Sequence, residues 1–145
     1  MTKLFTPGDA MHDNAQRLLE SELIAWFTTV AADGTPHAVP VWFFWHEEAV
    51  WILTRRDSVK ARHVARGSRA LVHLNTQGRF GADVVVLTGS ARILDQSAAE
   101  WITPVRDRWE AKYADGIEDF GMPADTILEE FSAVICMRPE KLLVW

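Results

Sequence analysis

The segment Thr54-Arg-Arg-Asp-Ser-Val-Lys60 has the chemistry of an anion clamp, with hydroxyls, guanidinium groups and an ammonium gathered where a strand gives way to a helix. Asp57 or Ser58 is placed to cap that helix, and Lys60 and Arg62 then fall in its opening turns. A helix start ordinarily favours Asp or Glu there, because the N-terminal end of the dipole is already positive. Added positive charge at that end has a reason if an anion sits against the backbone N–H groups, the Thr54 and Ser58 hydroxyls and Lys60. The residues alone leave two uses open: this anion site, or a basic helix face turned to solvent.

Just upstream lies an apolar wall. Residues 36–45, PHAVPVWFFW, and residues 50–54, VWILT, carry Val, Phe and Trp on both faces of extended chain, a pattern that cannot stand in water. Seven tryptophans, at positions 26, 42, 45, 51, 101, 109 and 145, serve either a bulky core or a surface for stacking flat ligands.

Other chemistries find little footing. Five histidines, at 12, 37, 46, 63 and 73, show no metal-ligand spacing, and His46-Glu-Glu-Ala-Val50 lacks the second His of a zinc-protease helix. Cys136 is the sole cysteine, which excludes an internal disulfide and a cysteine metal cage. Neither a Gly-x-Ser-x-Gly elbow nor a glycine-rich phosphate loop occurs. The net charge of −5 argues against nucleic acid as a partner, although Arg55, Arg56, Lys60, Arg62, Arg66 and Arg69 form a local basic cluster. No apolar run approaches membrane-spanning length and the first residues do not read as a secretory leader, so a cytoplasmic location is expected.

The 145 residues fit one domain, with residues 1–22 as an N-terminal helical arm. Helical spacing of Met11, Ala15, Leu18 and Leu19 predicts a helix over 9–22. Strands are predicted over 23–30, 37–45, 50–54, 69–75 and 83–94, with Gly89 marking a bend or bulge in the last of these. A helix over 58–66 should end at Gly67. Residues 97–114 and 123–130 read as helices separated by the segment 116–121, and 131–137 and 142–145 as two closing strands. Mostly antiparallel strands with late helices point to a small, mainly β barrel with α additions. Strands apolar on both faces need a second cover, so a homodimer with a sheet-built interface is expected.

Several ordered motifs carry a family resemblance: residues 25–43 (AWFTTVAADGTPHAVPVWF), Leu53-Thr54, Ser58-Val59-Lys60, residues 83–89 (DVVVLTG) and residues 139–145 (PEKLLVW). Together they resemble the flavin and deazaflavin oxidoreductases of the split β-barrel superfamily named after pyridoxamine 5'-phosphate oxidase. Within it the chain is most similar to the short branch described as probable coenzyme F420-dependent enzymes.

The resemblance implies an antiparallel, FMN-binding-protein-like split β-barrel of Greek-key type with a few peripheral helices, dimeric, with F420 or FMN at the subunit junction. It implies that Val39, Pro40, Val41 and Trp42 lie along the cofactor ring, and that Thr54, Ser58 and Lys60 hold its phosphate. Arg62, with Arg55 and Arg56, would serve a longer anionic tail, and Trp145 would cover the ring or plug the barrel. The chain departs from the B6 oxidases at Val59, where their clamp has Arg, at Val84, where they place a polar residue near the ring, and in lacking their C-terminal Arg-x-His. Hydride transfer between the ring and a small conjugated molecule is the implied activity, with no residue assigned as acid or base. A non-catalytic cofactor carrier, or a haem-binding barrel using His63 or His73, is the alternative, and a plain dimerisation module the third.

Overall fold

In the computed structural model, which describes residues 3–145, seven antiparallel strands form one curled sheet in the order β2-β1-β5-β6-β7-β4-β3. The strands are β1 (Ala25–Val30), β2 (Pro36–Val41), β3 (Phe44–His46), β4 (Ala49–Thr54), β5 (Ala70–Leu74), β6 (Val85–Ile93) and β7 (Ala133–Val144). Helix α1 (Ala10–Ser21) precedes the sheet and α2 (Val59–Ala65) follows β4. Helices α3 (Ala98–Ile102), α4 (Arg106–Phe120) and α5 (Ala124–Glu130) lie between β6 and β7. The architecture is the mainly β split barrel that the sequence leads one to expect. Residues 1 and 2 of the proposed N-terminal arm lie outside the described residues. No helix among the described residues is long and apolar enough to cross a membrane.

Strand alternation sorts side chains into two apolar layers. The inner set, including Phe27, Val50, Ile52, Val72, Leu87, Ile135 and Met137, fills the barrel, and Ala15, Leu18 and Leu19 of α1 join it. The alternate residues of β4 and β7, Ala49, Trp51, Val134 and Cys136, face outward. They pack against Ile102, Trp109, Tyr113, Ile127 and Leu128 from the helical stretch.

The structure redraws four boundaries. The single returning strand expected over 37–45 is two strands, β2 and β3, which pair with β1 and β4 at opposite edges of the sheet. Tyr113 causes the break by occupying both polar groups of the Phe43 backbone: its hydroxyl accepts from the Phe43 N–H (2.8 Å) and shares its proton between the Phe43 and Leu23 carbonyls. The break expected after residue 114 is a kink at Tyr113, whose φ of −110° leaves the helical region, and the segment 116–121 is helical: α4 resumes through Gly116 and stops at Gly121, whose φ of 77° is the left-handed cap. The helix expected over 97–114 is interrupted by a 3-10 turn at Thr103–Val105, where Pro104 cannot donate.

Finally, the two closing strands are one twelve-residue strand, β7. Its register against β6 shifts between Thr88 and Gly89, leaving Glu140 as the extra residue of a bulge beside Pro139. The bulge expected at Gly89 is therefore present, and a side chain there would collide with the Arg138 carbonyl.

Candidate cofactor site

Ser58 caps α2, accepting from the Ala61 N–H (3.2 Å) and also from the Thr54 hydroxyl (2.9 Å). Thr54 is buried and commits its proton inside this pair, so the free proton at the junction belongs to Ser58. Lys60, two residues on in the first turn of α2, is half-buried and has no carboxylate within ion-pairing distance among the described residues. Burial alone pulls its ammonium pKa below the usual lysine value. A partly desolvated cation without a partner marks a place suited to an anion.

Lys60 lines a cavity of about 240 Å³ between the sheet and the helical layer. Pro40, Val41, Trp42, Phe43 and Phe44 form the wall where β2 passes into β3. Trp51, Leu53 and Thr54 of β4 form the floor, and Trp101, Trp109, Phe120, Ile127 and Phe131 close it from the helices. Flat rings dominate and stack in pairs, Trp42 on Tyr113 (4.6 Å, 7° between planes) and Trp51 on Trp101 (4.9 Å, 24°). Lys60 is the one titratable side chain in this lining.

The sequence-derived residues divide as follows. Pro40, Val41, Trp42, Thr54 and Lys60 meet at the cavity, and Ser58 touches it through Thr54. Val39 packs against the barrel interior instead. Arg62 is exposed and turns back to donate to the Asp57 carbonyl (2.9 Å). Arg55 pairs with Glu130 and lies over the Phe131 ring, while Arg56 donates to the Ser132 carbonyl. These contacts leave Lys60 as the uncommitted cation at the opening.

Trp145 does not plug the barrel: it is 60 % exposed, with its backbone paired to Val84. His63 is buried with Nδ1 bonded to Thr29 Oγ1 (2.8 Å), and His73 stacks on Trp26. Neither imidazole lines the cavity. Sequence reasoning missed the whole helical wall, for which the surplus of rings at 101, 109, 120 and 131 was the available signal.

The cavity thus joins a run of aromatic rings to a half-buried lysine, with the Ser58 hydroxyl beside it through Thr54. Comparison with known proteins agrees on the fold. A conserved hypothetical protein from Mycobacterium tuberculosis superimposes with a TM-score of 0.74 at 18% identity, over 100% of this chain and 88% of that one. A protein described as F420 reductase gives 0.66 at 20% identity, over 88% and 94%. A FAD-binding protein from Mesorhizobium loti gives 0.63 at 16%, over 89% of each. No curated protein matches the chain at a significant level. The sequence model of the pyridoxamine 5'-phosphate oxidase family matches residues 11–145, and the chain belongs to that family.

Proposed function

We propose that this protein is an oxidoreductase that uses F420 or FMN to pass hydride to or from a small conjugated organic molecule. The observation that carries the reading is the half-buried Lys60, without an ion-pair partner among the described residues, in the lining of a slot walled by aromatic rings. Relatives in fold described as an F420 reductase and a FAD-binding protein support it. A flavin-type ring, when bound, supplies hydride acceptance and donation. The chain's own residues do the rest. Lys60 and the Ser58 hydroxyl hold the phosphate, and the turn from Pro40 to Phe43 forms the wall along which a flat ring would lie. Trp51, Trp101, Trp109 and Phe131 present apolar rings that exclude water from the slot, which strengthens the polar contacts made to a bound ligand inside it. With Lys60 the one titratable group in the lining, the site offers positioning and a dry environment rather than side-chain acid-base catalysis.

A second copy of the chain completes this reading. On the outer sheet face, register places Pro40, Trp26, His73, Val86 and Leu143 in one row across β2, β1, β5, β6 and β7. Leu143 is 52 % exposed and Trp145 lies near it at the end of the sheet. A row this apolar calls for a cover, and Val86→Glu is expected to shift sedimentation from dimer to monomer. A wild-type monomer at micromolar concentration overturns the assembly.

Lys60→Met tests the site itself. Losing a charge-assisted hydrogen bond of about 1.5 to 3 kcal/mol weakens FMN or F420 binding by roughly ten- to a hundredfold in a fluorescence titration. Unchanged affinity for both removes Lys60 from the site and the proposal with it.

A further inference from the structure

Trp42 is held from several sides. Its indole lies parallel to the Tyr113 ring, Phe120 meets it edge-on with ring centroids 6.3 Å apart, and its benzo edge rests on the backbone of Gly116. Gly116 follows Tyr113 by three residues, across a break in the helical backbone at Tyr113, and both meet the Trp42 indole. Its φ is not in the left-handed region, so the backbone conformation does not require glycine there. Glycine is also the poorest helix former apart from proline. Clearance is what the position offers: a β-carbon would lie 2.9 Å from Trp42 Cζ2 and 3.1 Å from Cη2, well inside contact distance.

We propose that Gly116 sets the width of the cavity by seating Trp42, and so determines that the site admits a flat, multi-ring aromatic ligand. This rests on the reading of the cavity as the seat of a flat ring. Tyr113 cannot yield to a displaced indole, because its hydroxyl is bonded to the Phe43 N–H and to the Leu23 and Phe43 carbonyls. Phe120, 49 % exposed, stands on a further side, and the cavity that Trp42 lines is space into which a displaced indole can move. A methyl group at position 116 therefore transmits through one indole into the ligand slot, although Gly116 itself is not part of the lining.

The test uses lumichrome, a neutral tricycle with neither phosphate nor sugar tail, followed by quenching of the tryptophans around the slot. Wild type is expected to bind it saturably. Gly116→Ala is expected to bind about ten- to a hundredfold more weakly, the usual range for overpacking, while its helix gains propensity and its unfolding midpoint shows that it folds. Trimming the indole should restore the room, so Gly116→Ala with Trp42→Phe is expected to bind as Trp42→Phe alone does. If Gly116→Ala is too unstable to assay, that double variant carries the test by itself.

Failure of wild type to bind lumichrome overturns the inference, as does wild-type affinity in Gly116→Ala or absence of recovery in the double variant. Lys60→Met separates this from the cofactor reading, since it should spare lumichrome and weaken FMN. Lumichrome behaving as expected while FMN ignores Lys60 overturns the phosphate clamp and leaves Gly116 standing. Clamp behaviour as expected with lumichrome indifferent to position 116 overturns Gly116 alone.

Discussion

The barrel interior and the helix-covered layer share strands β4 and β7, yet they are packed differently. Val50, Ile52, Ile135 and Met137 face the barrel at 0 % exposure, whereas on the opposite side Leu53, Trp101 and Phe131 are only partly buried around an open slot. Aliphatic side chains of varied shape interdigitate and fill space. Flat rings held in parallel pairs cannot interdigitate in this way, and Trp42, Trp51 and Trp101, each stacked on a neighbouring ring, line the slot. The open volume thus follows from rigid rings and a missing side chain at position 116, and it is compatible with a firmly packed fold.

The largest effect that could break this contrast is on stability. Leu87, buried at 0 % in the barrel, is expected to cost about 2 to 5 kcal/mol when replaced by Ala, because the surrounding side chains cannot close the hole. Trp101→Ala removes a larger ring, but from the wall of a space that already exists, and should cost less than about 2 kcal/mol. Urea unfolding of the two variants decides the matter. If Trp101→Ala proves the costlier change, the helical layer is a second structural core rather than a site.

A smaller effect sharpens the boundary between the layers. Tyr113→Phe keeps the ring that supports Trp42 but strips the acceptor from the buried Phe43 N–H and the donor from the Leu23 carbonyl, while the Phe43 carbonyl keeps its bond from Lys112. Leaving such groups unpaired costs about 1 to 3 kcal/mol. The same urea measurement reads it, and a change within error would mean that the β2–β3 break does not depend on this hydroxyl.

What the sequence disclosed follows the same division. The junction that brings Thr54, Ser58 and Lys60 together was legible because a strand end and a helix cap are read from neighbouring residues, where capping chemistry is local. The bulge at Gly89 was legible because a glycine inside an apolar strand has few other uses. The break at Phe43 was not, since the hydroxyl that causes it is 70 residues away. Gly116 misled for a related reason: a glycine ahead of Gly121 reads as a helix breaker, and its actual role depends on an indole from another part of the chain. The helical wall was hidden likewise, because spacing shows that a helix has an apolar face but not which sheet face it covers.

The smallest predicted effect is on pH dependence, and it assigns acid and alkaline behaviour to different layers. Beside the barrel, His63 has its pKa lowered by burial and then by Arg66, His37 and Arg62. Its neutral form is favoured in the folded chain, so its contribution is intact above the unfolded value of about 6.5 and is lost as the pH falls below it. The alkaline limb belongs to the corner at Phe43. There the Lys112 ammonium donates to the Phe43 carbonyl (2.9 Å), and burial, opposed by Glu22 and Glu20, lowers its pKa to about 8. Between about pH 8 and pH 10 the unfolded chain holds more protons at this lysine than the folded one, so stability rises with pH. Tyr113 reverses the trend, since burial raises its pKa, and above about pH 10 the unfolded chain ionises first. A shallow stability maximum near pH 10 is expected in urea midpoints, with Lys112→Met flattening the rising side. Tyr113 is the sole tyrosine, so phenolate absorbance follows its ionisation directly. A midpoint that falls steadily from pH 7, or a rise untouched by Lys112→Met, would show that the Phe43 corner is solvated and that the boundary between the two layers is looser than its hydrogen bonds indicate.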